Sequence, residues 1–318
     1  MLTLASPASL KGVLSPFDAA SALADGLRRS GAEVVEAPVA DGGEFTAEVV
    51  QRTLGGAWRT AQVSDPLERP VEARWLACDD GTAVLEAASP LGLPLVADDE
   101  RDPLRATSRG LGELIEQVLA SEPTSLIVCV GGTATVDGGA GMRDALDGLR
   151  GVPTRVACDV RNPLLGERGA AHAFGPQKGA DAAAVEELER RLAGMSELAA
   201  YRDLPGAGAG GGLGAALAAL GAELVEGAEL ILELIGFDDR ARDAGLVVTG
   251  EGKVDATTFE GKAPGAVLEH CRRLGVRCEL FGGLVDRGCD AHALSGTPER
   301  AADDLVDLGE RLGGEPAR

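Results

Sequence analysis

The order of strand-like and helix-like segments constrains the fold of this chain more than any other sequence feature. A short apolar run at Leu2–Ala5 is followed by Ser15-Pro16, a pair typical of a helix N-terminus, and by a helical pattern that extends to about residue 30. A second strand is predicted at 33–37 and a second helix at 44–54. Alternation of this kind predicts a parallel, doubly wound sheet.

The middle of the chain has a different pattern. Residues 58–100 hold three strand-like runs separated by Asp-Pro and Asp-Asp-Gly turns, which predicts a mixed or antiparallel sheet. Further strands are expected at 125–130, 155–160, 245–249 and 277–281. We therefore predict an α/β protein in which a flavodoxin-like, doubly wound parallel-sheet domain (1–57 and 205–318) is interrupted by an inserted α/β domain with a mixed sheet (58–204).

Length, charge and cysteine pattern limit the class of protein. A chain of 318 residues favours two domains, and its net charge of −21 argues against nucleic acid or an anionic membrane surface as a partner. Apolar runs are shorter than the roughly 18 residues of a membrane span, and no basic segment typical of a signal peptide precedes the first leucines. The six cysteines form no CxxC pair, so we expect reduced thiols in a cytoplasmic protein.

Lysine is rare in this chain and always lies next to glycine. Among thirty basic residues only four are lysines, namely Lys11, Lys178, Lys253 and Lys262, and each has a glycine neighbour. A compact ammonium in a tight turn, where backbone N–H groups also point at the ligand, indicates an anion site. The alternative is an arginine-favouring composition that leaves a few lysines in turns.

Five glycine-rich loops carry most of the candidate chemistry. They are residues 40–44, 131–141, 158–169, 205–214 and 249–255. Four of them follow a predicted strand, and open α/β sheets bind ligands at the carboxyl ends of their strands, so we expect the loops to converge on one cleft. Loop amides and lysines suit phosphate oxygens, and the carboxylates at the loop tips suit Mg²⁺, a combination that favours phosphoryl transfer. For any single aspartate, turn or helix capping is the alternative.

Longer motifs identify a family. The chain carries, in this order, RDPLxxTSRGxGELI, GGTATxDGGAGM, RVACDVxNPLLGxxGA, FGPQKGA, PGAGAGGGLGAAL and LVVTGEGKVDxxTxxGK. These motifs resemble the type I glycerate kinases, bacterial enzymes that phosphorylate D-glycerate with ATP and Mg²⁺. The resemblance implies a flavodoxin-like domain interrupted by a second α/β domain, with the glycerate site between them.

Site roles are assigned on the loops and on the resemblance together. The expected catalytic residues are Asp41, Asp137, Lys11 and Lys253. The expected substrate-binding residues are Ser108, Arg109, Gly131, Gly132 and Thr133. The expected nucleotide-binding residues are Gly208, Gly210, Gly211, Gly250, Glu251, Gly252 and Lys262, and the expected Mg²⁺ ligands are Asp159 and Asp255.

Three positions depart from the family pattern. Ala8 replaces an acidic residue, Phe45 replaces a glycine in ADGGEFT, and Val136 replaces an asparagine, while the segment between Met142 and Arg155 is shortened. These departures keep a second hypothesis open: an impaired homologue that binds a small acid or a nucleotide as a regulatory or sensor protein. The expected partners are a small hydroxy acid and ATP, without nucleic acid or membrane, and a homodimer is left open.

Overall fold

The computed structural model describes residues 2–314. The strands are β1 (Leu2–Ala5), β2 (Glu33–Glu36), β3 (Ala57–Ser64), β4 (Pro70–Ala77), β5 (Thr82–Glu86), β6 (Ser125–Cys129), β7 (Thr154–Cys158), β8 (Glu223–Glu226), β9 (Leu246–Val254), β10 (Cys278–Val285) and β11 (His292–Ala293). The α-helices are α1 (Pro16–Arg29), α2 (Thr46–Leu54), α3 (Ala88–Leu91), α4 (Arg109–Leu119), α5 (Ala140–Ala145), α6 (Ala170–Phe174), α7 (Ala182–Ala193), α8 (Ala209–Ala219), α9 (Gly227–Leu234), α10 (Phe237–Arg242), α11 (Ala263–Leu274) and α12 (Ala301–Gly313).

The chain divides into two compact units. The first comprises the residues up to Asp41 and those from Ala228 onward, and the second is Gly42–Gly227. Helix α2 and strand β8 therefore belong to the second unit, whereas the sequence prediction placed both in the first domain. The physical reason is packing, because α2 contacts β4 and β5, and β8 pairs with β7. Local periodicity shows that a helix or strand forms but not which sheet it joins.

The sheet of the first unit is parallel and has the order β2-β1-β9-β10-β11. Numbered within the unit, this order is 2-1-3-4-5, the flavodoxin-like arrangement. The predicted flavodoxin-like parallel sheet is confirmed. From β1 the chain adds β2 on one side and β9 to β11 on the other, so the order of strand addition reverses between β1 and β9. Open α/β sheets bind ligands at the carboxyl ends of the strands beside such a reversal.

Helix α1 shows how the sequence specifies this unit. The side chain of Ser15 accepts a hydrogen bond from the backbone N–H of Asp18 at 3.1 Å, and Pro16 occupies the first turn, as predicted. The helix packs closely on α12, since a Cβ added at Gly26 would lie 2.0 Å from the carbonyl oxygen of Val306. Glycine at this position therefore permits backbone contact between the two helices.

The sheet of the second unit has six strands in the order β3-β4-β5-β6-β7-β8. Strands β3, β4 and β5 are antiparallel neighbours, and β5 to β8 run parallel, which confirms the predicted mixed sheet.

Val136 is buried in the hydrophobic core of the second unit, so the apolar residue at this position packs with other apolar side chains. Cys129 and Cys158 are buried thiols, as expected, and burial raises the pKa of Cys158 to about 12.

One predicted loop is a strand. The sequence prediction ends a strand at residue 249 and begins a ligand-binding loop there, but β9 continues to Val254 and pairs with β10. Gly250 is needed for this packing, because an added Cβ would lie 2.3 Å from the carbonyl oxygen of Phe281 and 2.5 Å from its ring. The five glycine-rich segments are distributed over the two units, and their convergence on one cleft stays a prediction. Within residues 2–314, no helix has the length and apolar character to cross a membrane.

Candidate functional site

The predicted site residues fall into two groups, one in each unit. The first unit holds Lys11, Asp41, Gly250, Glu251, Gly252, Lys253, Asp255 and Lys262. The second unit holds Ser108, Arg109, Gly131, Gly132, Thr133, Asp137, Asp159, Gly208, Gly210 and Gly211.

In the first unit, the turn after β1 meets the far end of β9. The backbone N–H of Ala8 donates to the carbonyl oxygen of Gly250 at 2.9 Å, and a Cβ added at Gly252 would lie 3.3 Å from the backbone nitrogen of Lys11. The side chain of Lys11 is exposed at this point. Two predicted segments, one around Lys11 and the other around Gly252, therefore lie side by side at the reversal between β1 and β9.

A second contact network joins Glu251 to Lys262. The Glu251 carboxylate accepts a hydrogen bond from the Thr258 hydroxyl at 2.7 Å and pairs with Lys262 Nζ at 3.3 Å. Burial raises the pKa of Glu251 above its usual range, and the charge of Asp41 adds to this effect, while Thr258 and Lys262 oppose it. Asp41, Glu251 and Lys262 are thus brought together as one group of interacting charges.

Lys253 lies between two carboxylates. Its Nζ is 3.2 Å from Asp255 Oδ2 and 3.0 Å from Asp286 Oδ2. The other oxygen of Asp255 accepts from the Thr257 backbone N–H at 2.9 Å and from the Thr257 hydroxyl at 2.5 Å. The Thr257 hydroxyl and Lys253 lower the pKa of Asp255 to about 2, so this carboxylate is ionised. Asp286 was missed by the sequence reasoning because the strand predicted at 277–281 ends before it, whereas β10 extends to Val285 and Asp286 directly follows it.

The predicted Mg²⁺ ligands suit a metal that arrives with a nucleotide. In the described part of the chain, no group of three or more His, Cys, Asp or Glu residues is arranged to hold a metal ion. Nucleotide-bound Mg²⁺ needs only one or two protein carboxylates, because phosphates and water fill its other positions. Asp255 is ionised beyond the end of β9, and Asp159 directly follows β7, both with partial exposure. Each can supply one oxygen ligand within its own unit.

In the second unit, Asp137 connects two helix N-termini. Its Oδ2 accepts from the backbone N–H of Ser108 at 2.8 Å, from the Ser108 hydroxyl at 2.7 Å and from the Gly141 N–H at 3.2 Å, and its Oδ1 accepts from the Gly139 N–H at 3.1 Å. The Ser108 hydroxyl also accepts from the backbone N–H of Met142 at 2.9 Å. These contacts are those of a helix-capping carboxylate at the starts of α4 and α5.

Lys178 was among the glycine-flanked lysines that the sequence reasoning linked to an anion site, but it received no specific role. It is 4% exposed, and its Nζ donates to the carbonyl oxygen of Thr135 at 2.8 Å and to the hydroxyl of Thr133 at 3.3 Å. Burial lowers the pKa of Lys178 to about 7, while the charges of Asp137 and Asp159 act in the opposite direction. Its glycine neighbour and the FGPQKGA motif were the sequence signals, whereas its burial depends on tertiary packing.

Glu86 is a second titratable group with a shifted pKa that the sequence reasoning missed, and its side chain is partly buried. It ends β5, and its carboxylate accepts from the backbone N–H of Ala47 in the first turn of α2 at 3.0 Å. Burial raises the pKa of Glu86 to about 7. Phe45, which precedes α2, has a left-handed φ of 67° and makes no side-chain cap, so Glu86 takes the place of a local cap.

Arg109 has a local ion pair, whereas the loop after β6 contacts segments that are distant in the sequence. Arg109 is 47% exposed and donates from Nε to Glu113 Oε1 at 2.8 Å within the same helix. The carbonyl oxygen of Gly132 accepts from the backbone N–H of Leu93 at 3.0 Å, and Gly131 lies close to Gly43. Thr133 is buried against Lys178. Substrate binding by these residues stays a prediction.

The glycines of 206–212 have a packing explanation. Gly210, Gly211 and Gly212 have left-handed φ values of 62°, 74° and 99°. A Cβ added at Gly211 would lie 2.0 Å from the carbonyl oxygen of Thr135, and one at Gly208 would lie 2.3 Å from that of Pro163. The glycines thus allow this segment to pack directly on the loops after β6 and β7. Nucleotide binding by these glycines stays a prediction.

The sequence is similar to known proteins over most of its length. A family model described as the glycerate kinase family matches residues 3–149 and 147–302. The glycerate 2-kinase of Escherichia coli (strain K12) is 41% identical over 305 residues, which cover 83% of this chain and 80% of that protein. The glycerate kinase of Bacillus subtilis (strain 168) is 38% identical over 92% of this chain and 87% of that protein. A crystal structure of a proposed glycerate kinase 2 from Salmonella typhimurium LT2 matches with a TM-score of 0.84 and 32% identity, covering 98% and 97% of the two chains.

Proposed function

Because this chain belongs to the glycerate kinase family, we propose that it is an enzyme that phosphorylates a hydroxyl group of D-glycerate, with ATP as the donor and Mg²⁺ as the metal. The observation that carries the proposal is similarity across both units to proteins named glycerate kinases, at up to 41% identity. We further propose the 2-hydroxyl as the acceptor, since the Escherichia coli relative is named a 2-kinase.

In the first unit, the lysines are the proposed phosphate contacts. The exposed ammonium of Lys11, together with the backbone beside Gly252, would meet phosphate oxygens at the reversal between β1 and β9. Lys253 is held in place by Asp255 and Asp286, so its charge is positioned before a nucleotide binds. Mg²⁺, when bound through Asp255, would neutralise phosphate charge as it does in other phosphoryl transfers.

A carboxylate is needed to orient the attacking hydroxyl and to accept its proton. Asp41 and Asp137 are the two predicted candidates. The carboxylate of Asp137 already accepts four hydrogen bonds from Ser108, Gly139 and Gly141, so we propose Asp41 for this role. In the second unit, Arg109 is the proposed contact for the substrate carboxylate, in exchange for its pairing with Glu113.

An ADP-release assay with D-glycerate and a panel of other small hydroxy acids tests the proposal. The product is identified by adding enolase, which consumes 2-phosphoglycerate but not 3-phosphoglycerate. We expect ADP release that depends on D-glycerate and a product that enolase accepts. Absence of turnover with every acid contradicts the proposal, and calorimetric binding of ATP or D-glycerate without turnover supports the regulatory or sensor hypothesis instead. A cytoplasmic location and a homodimer stay predictions.

A further inference from the structure

Lys178 places its amino group in the interior of the second unit, where both of its direct hydrogen-bond partners are uncharged. It lies at the end of the 3₁₀ turn Pro176–Lys178, and both of its acceptors, the Thr135 carbonyl and the Thr133 hydroxyl, are neutral. Within residues 2–314, no carboxylate lies within 4.0 Å of its ammonium. An ammonium has three N–H donors, so the two acceptors leave one donor unpaired, and the charges of Asp137 and Asp159 act on it only from beyond 4.0 Å.

Thr135 provides an independent observation at the same place. Its side chain is fully buried, and its hydroxyl has no hydrogen-bond partner, although its own carbonyl contacts Lys178 Nζ. Buried hydroxyl groups are normally paired, because an unpaired one loses its hydrogen bonds to water. An unpaired hydroxyl donor beside an ammonium with one unpaired N–H is the combination that an oxyanion would satisfy.

The position of these groups suits a ligand. Thr133 and Thr135 belong to the loop that directly follows β6, at the carboxyl end of a parallel strand, where α/β sheets bind small molecules, and Lys178 contacts this loop from the 3₁₀ turn. Gly132, next to Thr133, is exposed, so this loop reaches solvent. A lysine needed only for packing would be better replaced by a methionine of similar length, since two neutral acceptors do not offset the removal of a full charge from water.

We propose that Lys178 and Thr135 form an oxyanion site for the reaction. The ammonium and the hydroxyl bind either the carboxylate of the acceptor or a phosphoryl oxygen of the donor. The inference rests on the proposed function and adds to it the residues that recognise the anion.

The main test compares Lys178→Met with the wild type in steady-state kinetics. If the anion is the acceptor carboxylate, the KM for D-glycerate rises at least tenfold and the KM for ATP stays within twofold. If the anion is a phosphoryl oxygen, kcat falls at least a hundredfold or the KM for ATP rises tenfold, while the KM for D-glycerate stays within twofold. Either result supports the site and identifies its ligand. Values of kcat and both KM within twofold of wild type overturn it.

Two further variants complete the kinetic test. Arg190→Met removes a cation whose side chain is 74% exposed on α7, and it is expected to leave every constant unchanged. Thr135→Val changes the site without touching the lysine, so it carries the test if Lys178→Met fails to fold. We expect the affected constant to change at least threefold, and unchanged constants in Thr135→Val would then overturn the proposal.

Thermal unfolding with inorganic phosphate or D-glycerate separates this inference from the proposed function. If the wild type phosphorylates no hydroxy acid, the proposed function fails and the melting temperature decides on the site. Stabilisation of the wild type by either anion that Lys178→Met loses supports the site. Equal stabilisation of both proteins, or no stabilisation of the wild type, overturns it.

Discussion

Replacing Glu86 by Gln should change how the stability of the second unit depends on pH. Burial raises the pKa of Glu86 from 4.5 to about 7. Between these two values the folded protein keeps a proton that the unfolded chain releases, so the free energy of unfolding falls as the pH rises, and the loss is complete above the folded pKa. Glutamine keeps an oxygen that can accept from Ala47 N–H but has no charge to desolvate.

The magnitude follows from the size of the pKa shift. Each pH unit inside the window changes the free energy of unfolding by about 1.4 kcal/mol, which gives about 2.5 kcal/mol between pH 5 and pH 8. Glu86 keeps some contact with solvent, which reduces this figure to about 2 kcal/mol. On going from pH 5 to pH 8, the stability of Glu86→Gln relative to wild type should therefore increase by about 2 kcal/mol.

Urea unfolding monitored by tryptophan fluorescence measures this stability difference, because both tryptophans lie in the second unit of the structure, as Glu86 does. The two tryptophans, Trp58 and Trp75, lie on β3 and β4, and Trp58 Nε1 donates to Gln51 of helix α2 at 3.0 Å. Glu72→Gln, at an exposed position of β4, is the matched control and should show no pH-dependent difference from wild type. A Glu86→Gln difference that is the same at pH 5 and pH 8 would refute the reasoning.

Further predictions concern backbone packing, the metal and the active site. Gly211→Ala should destabilise the second unit by about 2 kcal/mol or more in the same urea assay. Gly148→Ala, where φ is 69° and the space is open, is the control that isolates backbone strain from the clash. Phe45→Gly should stabilise the unit by about 1 kcal/mol by relieving a left-handed φ, and an unchanged urea midpoint would contradict this. Asp255→Asn should lower kcat for ADP release by about 10²-fold or more, and near-normal kcat there and in Lys253→Ala would show that this segment is structural. Excess EDTA should abolish turnover and added Mg²⁺ or Mn²⁺ should restore it, whereas turnover that persists in EDTA would exclude a metal requirement.

The parts of the fold that local sequence determines were predictable. Ser15 and Pro16 mark the start of α1 because capping and a fixed proline φ act within one turn. The Asp-Pro and Asp-Asp-Gly turns separate β3, β4 and β5 without helices, so the mixed sheet was also visible.

The remaining features depend on tertiary contacts that the sequence pattern does not contain. Glycine is typical of a loop, yet Gly250 lies inside β9. Glycine is needed there because Phe281 leaves no room for a side chain. Lys178 and Glu86 acquire shifted pKa values only through burial among distant segments. Asp41, Glu251 and Lys262 were each predicted as site residues, but their interaction depends on tertiary packing, since Asp41 follows β2, Glu251 lies inside β9 and Lys262 precedes α11.

The interleaved course of the first unit has a consequence for biosynthesis. Strand β1 is an interior strand, between β2 and β9, yet β9 begins only at Leu246. The ribosome must therefore complete the contiguous segment Gly42–Gly227 before β1 can gain its second neighbour. Strands β9 to β11 can join the sheet as soon as they emerge. Until then, β1 has an unpaired, apolar edge that can pair with other nascent chains. Chaperone protection in this interval would therefore matter more for β1 and β2 than for the strands synthesised after residue 227.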